Sequence, residues 1–232
     1  SGVASPCTGA SCSFTRSTTT NGSSVSVEPG TVCDAADNCT TGAAATGLKI
    51  DTVAPAIVCP TVPTFVLGDA ATLTATVDDA TSGPVAATLS ASADTSGVGT
   101  RSLSFATSDL AGNTSTVFCA YNVVYRFAGF FSPQSNTALN DQKAGGSTPV
   151  KFSLSGNKGL GVIAALSTSQ VDCGTRAPAG TVSATAAAIS YDAASDAYML
   201  KWKTDAAWSG TCRLFDVLLN DGTHHALAFR FR

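Results

Sequence analysis

Charge is scarce in this sequence. Asp, Glu, Lys and Arg make up 12% of the 232 residues, and the formal net charge is −3. A nucleic-acid footprint needs clustered Lys and Arg. With 13 basic residues dispersed along the chain and a pI near 5.2, no nucleic-acid partner is expected. No window holds 18 consecutive apolar residues, so no membrane span is predicted. Large core-formers are sparse as well: hydrophobic types reach 44%, but 38 of those positions are Ala, with one Met and two Trp. No CxxC pair occurs. No charged n-region with an apolar h-region opens the sequence at Ser1, so any export signal is expected to have been removed or to lie upstream.

What is abundant points to β-structure. Ser and Thr supply 58 residues and Gly 21, among many short Thr/Val/Phe stretches, which favours small all-β domains. The length suits one large domain or two to three small ones.

Cysteine is plentiful. Cys7, Cys12, Cys33, Cys39, Cys59, Cys119, Cys173 and Cys212 are even in number and accompanied by only two His. That pattern reads as a disulfide framework from an oxidising, extracellular or cell-surface environment. Structural zinc wants closely spaced ligand pairs, which Cys59, Cys119, Cys173 and Cys212 do not form. No metal or other cofactor is implied.

The chain repeats itself. Cys33-Asp34-Ala35-Ala36-Asp37-Asn38-Cys39 aligns with Ser108-Asp109-Leu110-Ala111-Gly112-Asn113-Thr114 at an offset of 75 residues. The same offset sets Asn21-Gly22 on Ser96-Gly97 and Phe14 on Leu89. A period of this size fits a compact β-sandwich module. Residues matching 51–77 would precede Ser1, so 1–52 is expected to be a partial module lacking its opening strands. A longer tandem array would account for that, and so would a neighbouring chain donating the missing strand.

Residues 53–124 form the complete module. Leu73, Ala75 and Val77 share one face of a strand, and 101–106 and 116–121 repeat the alternation. Turn chemistry at 109–113 joins the last two strands. Cys59 at the module's start and Cys119 on its final strand are expected partners. In 1–52, the local pairs Cys7–Cys12 and Cys33–Cys39 are preferred, while a long hairpin through Asn21-Gly22 would instead bring Cys12 near Cys33.

The remaining 125–232 also read as strands. Val150, Phe152 and Leu154 share a face, as do Tyr198, Leu200 and Trp202, and Asn220-Asp221-Gly222-Thr223 makes a tight hairpin turn. Cys173 and Cys212 are left as a further long-range disulfide candidate.

The Asp-x-Ala-Gly-Asn module preceded by Asp51-Thr52-Val53-Ala54-Pro55 resembles the bacterial immunoglobulin-like repeats of large secreted and surface proteins. From Tyr125 onward, Tyr125-Arg126-Phe127-Ala128-Gly129-Phe130-Phe131, Pro149-Val150-Lys151-Phe152, Lys201-Trp202-Lys203-Thr204, Trp208-Ser209-Gly210-Thr211-Cys212-Arg213 and Asn220-Asp221-Gly222-Thr223 resemble the PxKF domain. The resemblance implies an all-β chain of tandem Ig-like sandwiches ending in a β-sandwich PxKF domain. It also implies an exported bacterial protein of actinobacterial or similar lineage. It carries no catalytic residues.

Chemical motifs are few. His224 and His225 are adjacent, and on a strand they face opposite sides, so they cannot chelate one metal together. Asp216 and Asp221 lie near them in sequence, without a nucleophile-elbow motif to complete a triad. Asp78-Asp79, or Asp34 with Asp37, could help hold Ca²⁺, but turn chemistry accounts for both. Nothing places two acids across a cleft as a glycosidase needs. Trp208, in the 206–210 loop, is the aromatic that could contact a ligand such as a carbohydrate. The expectation is a non-enzymatic structural or adhesive segment. Its partners would be other copies of itself or extracellular polymers, with self-assembly into filaments or carbohydrate binding as alternatives.

Overall fold

A computed structural model of the chain describes residues 16–34 and 36–232. Strands account for 51% of it and helical turns for 3%, so the chain is all-β, built from several sheets. Among the described residues, no helix is long and apolar enough to cross a membrane. Cys7 and Cys12 lie outside the described residues.

The chain divides into two compact units. The first holds the described residues up to Thr61, together with Thr72–Ala91 and Ser102–Cys119. Here β1 (Gly22–Val27), β2 (Thr31–Cys33), β3 (Cys39–Thr41) and β4 (Ala45–Ile50) form two antiparallel ladders, β1 with β4 and β2 with β3. Asn21-Gly22 does not make a hairpin turn. Gly22 opens β1, and the Asn21 Oδ1 accepts the Thr52 backbone N–H at 3.0 Å.

Next come β5 (Ala56–Val58), β6 (Thr64–Val66), β7 (Thr72–Asp78), β8 (Thr88–Ser92), β9 (Gly99–Ser108) and β10 (Thr114–Val124). A three-stranded sheet has the order β5-β7-β8, and another the order β6-β10-β9. Successive side chains on a strand alternate faces. In β7, Leu73, Ala75 and Val77 are buried while the threonines between them face solvent. β9 and β10 carry residues of both units.

The second unit holds Val62–Ala71, Ser92–Arg101 and Ala120–Arg232. Within it β6 runs parallel to the end of β10, with Val66 opposite Val124. Its other strands are β11 (Asn140–Gln142), β12 (Ser147–Phe152), β13 (Ile163–Val171), β14 (Ser183–Ala184), β15 (Ala187–Asp192), β16 (Ala197–Lys203), β17 (Cys212–Leu219) and β18 (His224–Phe231). They form a sheet of order β11-β18-β17-β13-β14 and one of order β12-β16-β15.

The predicted inward faces, Val150 to Leu154 and Tyr198 to Trp202, are the core of this unit. Trp202 is wholly buried. Its ring stacks on Phe215 at 4.3 Å, and its Nε1–H donates to the Thr185 Oγ1 at 3.0 Å, so the single polar atom of the indole is satisfied. Leu67 and Val98 pack against the same core.

Three disulfides brace these strands. Cys33–Cys39 bridges directly opposed residues of β2 and β3 and closes a separation of 6 residues. That bond excludes the alternative in which Cys33 pairs with Cys12. Cys59–Cys119 spans 60 residues and Cys173–Cys212 spans 39, both as expected.

Candidate functional site

Three Asp side chains converge in the first unit. Asp51 follows β4, Asp79 follows β7, and Asp109 sits between β9 and β10. One oxygen from each lies within 4.8 Å of the others.

Short polar side chains favour turns because they accept hydrogen bonds from backbone amides just ahead, and each carboxylate does so here. The Asp79 Oδ1 accepts the N–H of Thr81 (3.1 Å), Ser82 (2.9 Å) and Gly83 (2.8 Å). The Asp51 Oδ1 accepts the Val53 N–H, and its Oδ2 accepts the Ser82 N–H, both at 3.0 Å. The Asp109 Oδ1 accepts from Ala111 and Asn113 at 2.8 Å, while the Asn113 amide reaches its Oδ2 at 2.7 Å. The same Asn113 Nδ2 approaches the carbonyls of Asp51 (3.2 Å) and Val53 (3.3 Å).

Hydrogen bonding from Ser82 and from Val53 holds the Asp51 carboxyl below the usual carboxylate range. These oxygens are hard donors of the kind Ca²⁺ takes, though that ion takes about six to eight. Among the described residues of this unit, Asp51, Asp79 and Asp109 are those grouped closely enough to hold such a cation. Beside them lies a cavity of about 360 Å³ lined by Gly22, Lys49, Asp51, Ser82 and Leu110, among others.

The sequence singled out Asp79 with its neighbour Asp78, yet the partners Asp79 meets are Asp51 and Asp109. The signal was present in two places. Asp51 opens the Asp-Thr-Val-Ala-Pro stretch, and Asp109 opens the Asp-x-Ala-Gly-Asn turn. Their convergence depends on tertiary structure and is invisible to local spacing. The other turn named, at Asp34, is capped in the same manner: its Oδ1 accepts Ala36 N–H at 2.8 Å and Asn38 N–H at 3.0 Å.

Trp208 lines a groove of about 540 Å³ with Gly145, Thr185, Lys203 and Asp205. The loop is held by the Asp205 carboxylate, which accepts the Ala207 N–H at 2.9 Å. The indole is half-buried and lies 5.5 Å from both Trp202 and Phe231. The Arg213 guanidinium stands 4.4 Å from its centroid, a cation–π contact occupying a face that a stacking sugar would need.

The two histidines face opposite sides of β18, as alternation requires. The His224 Nδ1 pairs with the Asp216 Oδ2 at 2.7 Å, and the His225 Nε2 contacts the Thr223 Oγ1 at 2.9 Å. Asp216 therefore pairs with His224, while His225 meets a hydroxyl rather than a carboxylate.

No family model matches the chain, and no curated protein matches it.

Proposed function

We propose that the chain is a non-enzymatic structural or adhesive segment of an exported protein, a stalk or spacer in which 1–52 is a partial Ig-like module lacking its first strands, 53–124 a complete one and 125–232 a PxKF-like β-sandwich. The observation that carries this reading is how its buried carboxylates are used. Asp109 and Asp221 are at most 8% exposed, and both carboxylates accept from backbone amides of turns and joins. Disulfides at Cys59–Cys119 and Cys173–Cys212 add covalent bracing to both units. Three disulfides also hint at an oxidising, extracellular compartment.

Single-molecule pulling tests the load-bearing role. Fully extended chain spans about 3.5 Å per residue, so reducing the Cys59–Cys119 bond releases roughly 200 Å of hidden length. The expected result is that the oxidised segment resists force and shortens by that amount relative to the reduced one. Hydrolysis of an ester, glycoside or peptide by the purified segment, lost on substituting Asp51, Asp79 or Asp109, overturns the reading.

Self-assembly is the second reading. The β1–β4 ladder has only two strands, and five of the six β4 residues are exposed. An exposed edge of this kind invites a strand from another chain. Light scattering and electron microscopy at high protein concentration separate the two readings: filaments favour assembly, and a persistent monomer removes it.

A further inference from the structure

The hairpin turn between β17 and β18 holds a segment far away in sequence. Asp221 is 8% exposed. Its Oδ1 accepts the Thr223 N–H at 2.9 Å and the Thr223 hydroxyl at 2.7 Å, and its Oδ2 accepts the Tyr125 backbone N–H at 2.7 Å. Thr223 has one hydroxyl hydrogen, and it is committed to Asp221. Its oxygen therefore accepts at the 2.9 Å contact with His225, which fixes the hydrogen on Nε2 of that ring. The His225 imidazole in turn lies flat on Phe127, with centroids 3.6 Å apart and planes 19° from parallel. The backbone at 125 and the side chain at 127 are thus gripped from the same turn, one by a carboxylate and the other by an imidazole joined to it.

We propose that Asp221, Thr223 and His225 form a proton-responsive latch on residues 125–127, the segment that leads from β10 into the last two sheets.

The neutral imidazole fits this site. A proton on His225 places a charge on a half-buried ring, and burial is the largest influence on it, holding the group below the usual imidazole range. Asp221 and Asp216 favour the charged form and His224 opposes it. Asp216 is already paired with His224 on the other face of the strand. From the entering segment, the Tyr125 phenol is itself pushed up by burial and stays neutral, and the Arg126 guanidinium turns away to Asp69 at 2.7 Å. A folded-state value depressed below about 6.5 contributes stability that is complete above about pH 6.5 and is lost as pH falls toward the folded-state value. The added proton goes to Nδ1 and leaves the Nε2–H bond to Thr223 in place, so acid acts through the charge. An opening of residues 125–127 that brings the half-buried ring to water becomes easier as pH falls, and the tie to Tyr125 is released with it.

Amide exchange in the full chain, followed at the Tyr125 N–H and corrected for the intrinsic rate, tests the latch. Protection is expected to fall between about pH 7.5 and about pH 5, by up to about tenfold for each unit that His225 lies below about 6.5. His225→Phe keeps a flat ring over Phe127 but cannot titrate, so the pH dependence is expected to vanish. Asp221→Asn is expected to lower Tyr125 protection about tenfold or more at both pH values, leaving core amides such as Leu200 unchanged. A flat profile in the unaltered chain, the same fall in His225→Phe, or undiminished protection in Asp221→Asn overturns the proposal.

Discussion

The turns at Asp34 and Asp109, 75 residues apart in the sequence, have the same internal bonds and different surroundings. In each, the Asp carboxylate accepts the N–H of the residues two and four ahead. In each, the Asp backbone N–H meets the Asn carbonyl, at 2.9 Å in the first and 3.0 Å in the second. Yet Asp109 is 2% exposed and close to Asp51 and Asp79, while Asp34 is only half-buried and neighbours the solvent-exposed ladder of β2 and β3. Local chemistry is enough to shape the turn. Burial and neighbours decide how much stability depends on it.

Cutting the disulfides is expected to give the largest contrast. In the chain-entropy account, replacing Cys59 and Cys119 by Ala costs about 4 kcal/mol, because the loop spans 60 residues; removing Cys33 and Cys39, which span 6, costs about 2 kcal/mol. Equal shifts in the denaturant midpoint of the first unit would show that loop length is not what sets the difference.

The carboxylates come next. Asp109→Ala empties a buried position and strips the partly buried amides of Ala111 and Asn113 of their acceptor, and about 1–2 kcal/mol is expected to be lost. Asp34→Ala leaves amides that water can reach, so less than about 1 kcal/mol is expected. Paired equilibrium unfolding of the two variants reads the difference directly.

Acid probes the same cluster. The folded Asp51 carboxyl lies below its unfolded range, so its contribution is present above about pH 4 and disappears as pH drops through the folded value. Thermal unfolding between about pH 5 and about pH 3 is expected to show a shallower loss in Asp51→Asn than in the unaltered chain.

The smallest effect concerns the backbone. Gly112 occupies its turn at φ 93°, and its counterpart Asp37 sits at φ 61°. A β-carbon at Gly112 would meet no heavy atom within 4 Å, so Gly112→Ala is expected to cost only the backbone term of about 1 kcal/mol, and Asp37→Gly to gain about as much. Melting temperatures moving in the same direction would contradict this assignment.

Much of the architecture was legible in the residue pattern. Alternation marked β7, β12 and β16 with their inward faces, because a half-buried strand repeats every two residues. The Cys59–Cys119 pairing followed from places at the start and on the last strand of one module, and Cys173–Cys212 from being the pair left over. The meeting of Asp51, Asp79 and Asp109 was not legible, since three turns far apart in sequence converge only when the sheets assemble. Nor was the parallel addition of β6 and β11, because strands of three residues carry almost no periodicity. Trp208 read as an exposed loop aromatic. The cation that covers it, Arg213, lies on the following strand, where composition gives no hint of its direction.

The place of β18 has a consequence for how the molecule is made. This strand comes last in the chain but lies inside its sheet, flanked by β17 and by β11, whose Asp141 pairs with Arg230 across 89 residues. Contacts so remote along the chain form slowly, because a long loop must close before they return any energy. A nascent polypeptide emerging from a ribosome thus cannot complete this sheet until β18 has been made, and β11 waits unpaired through the synthesis of everything between them.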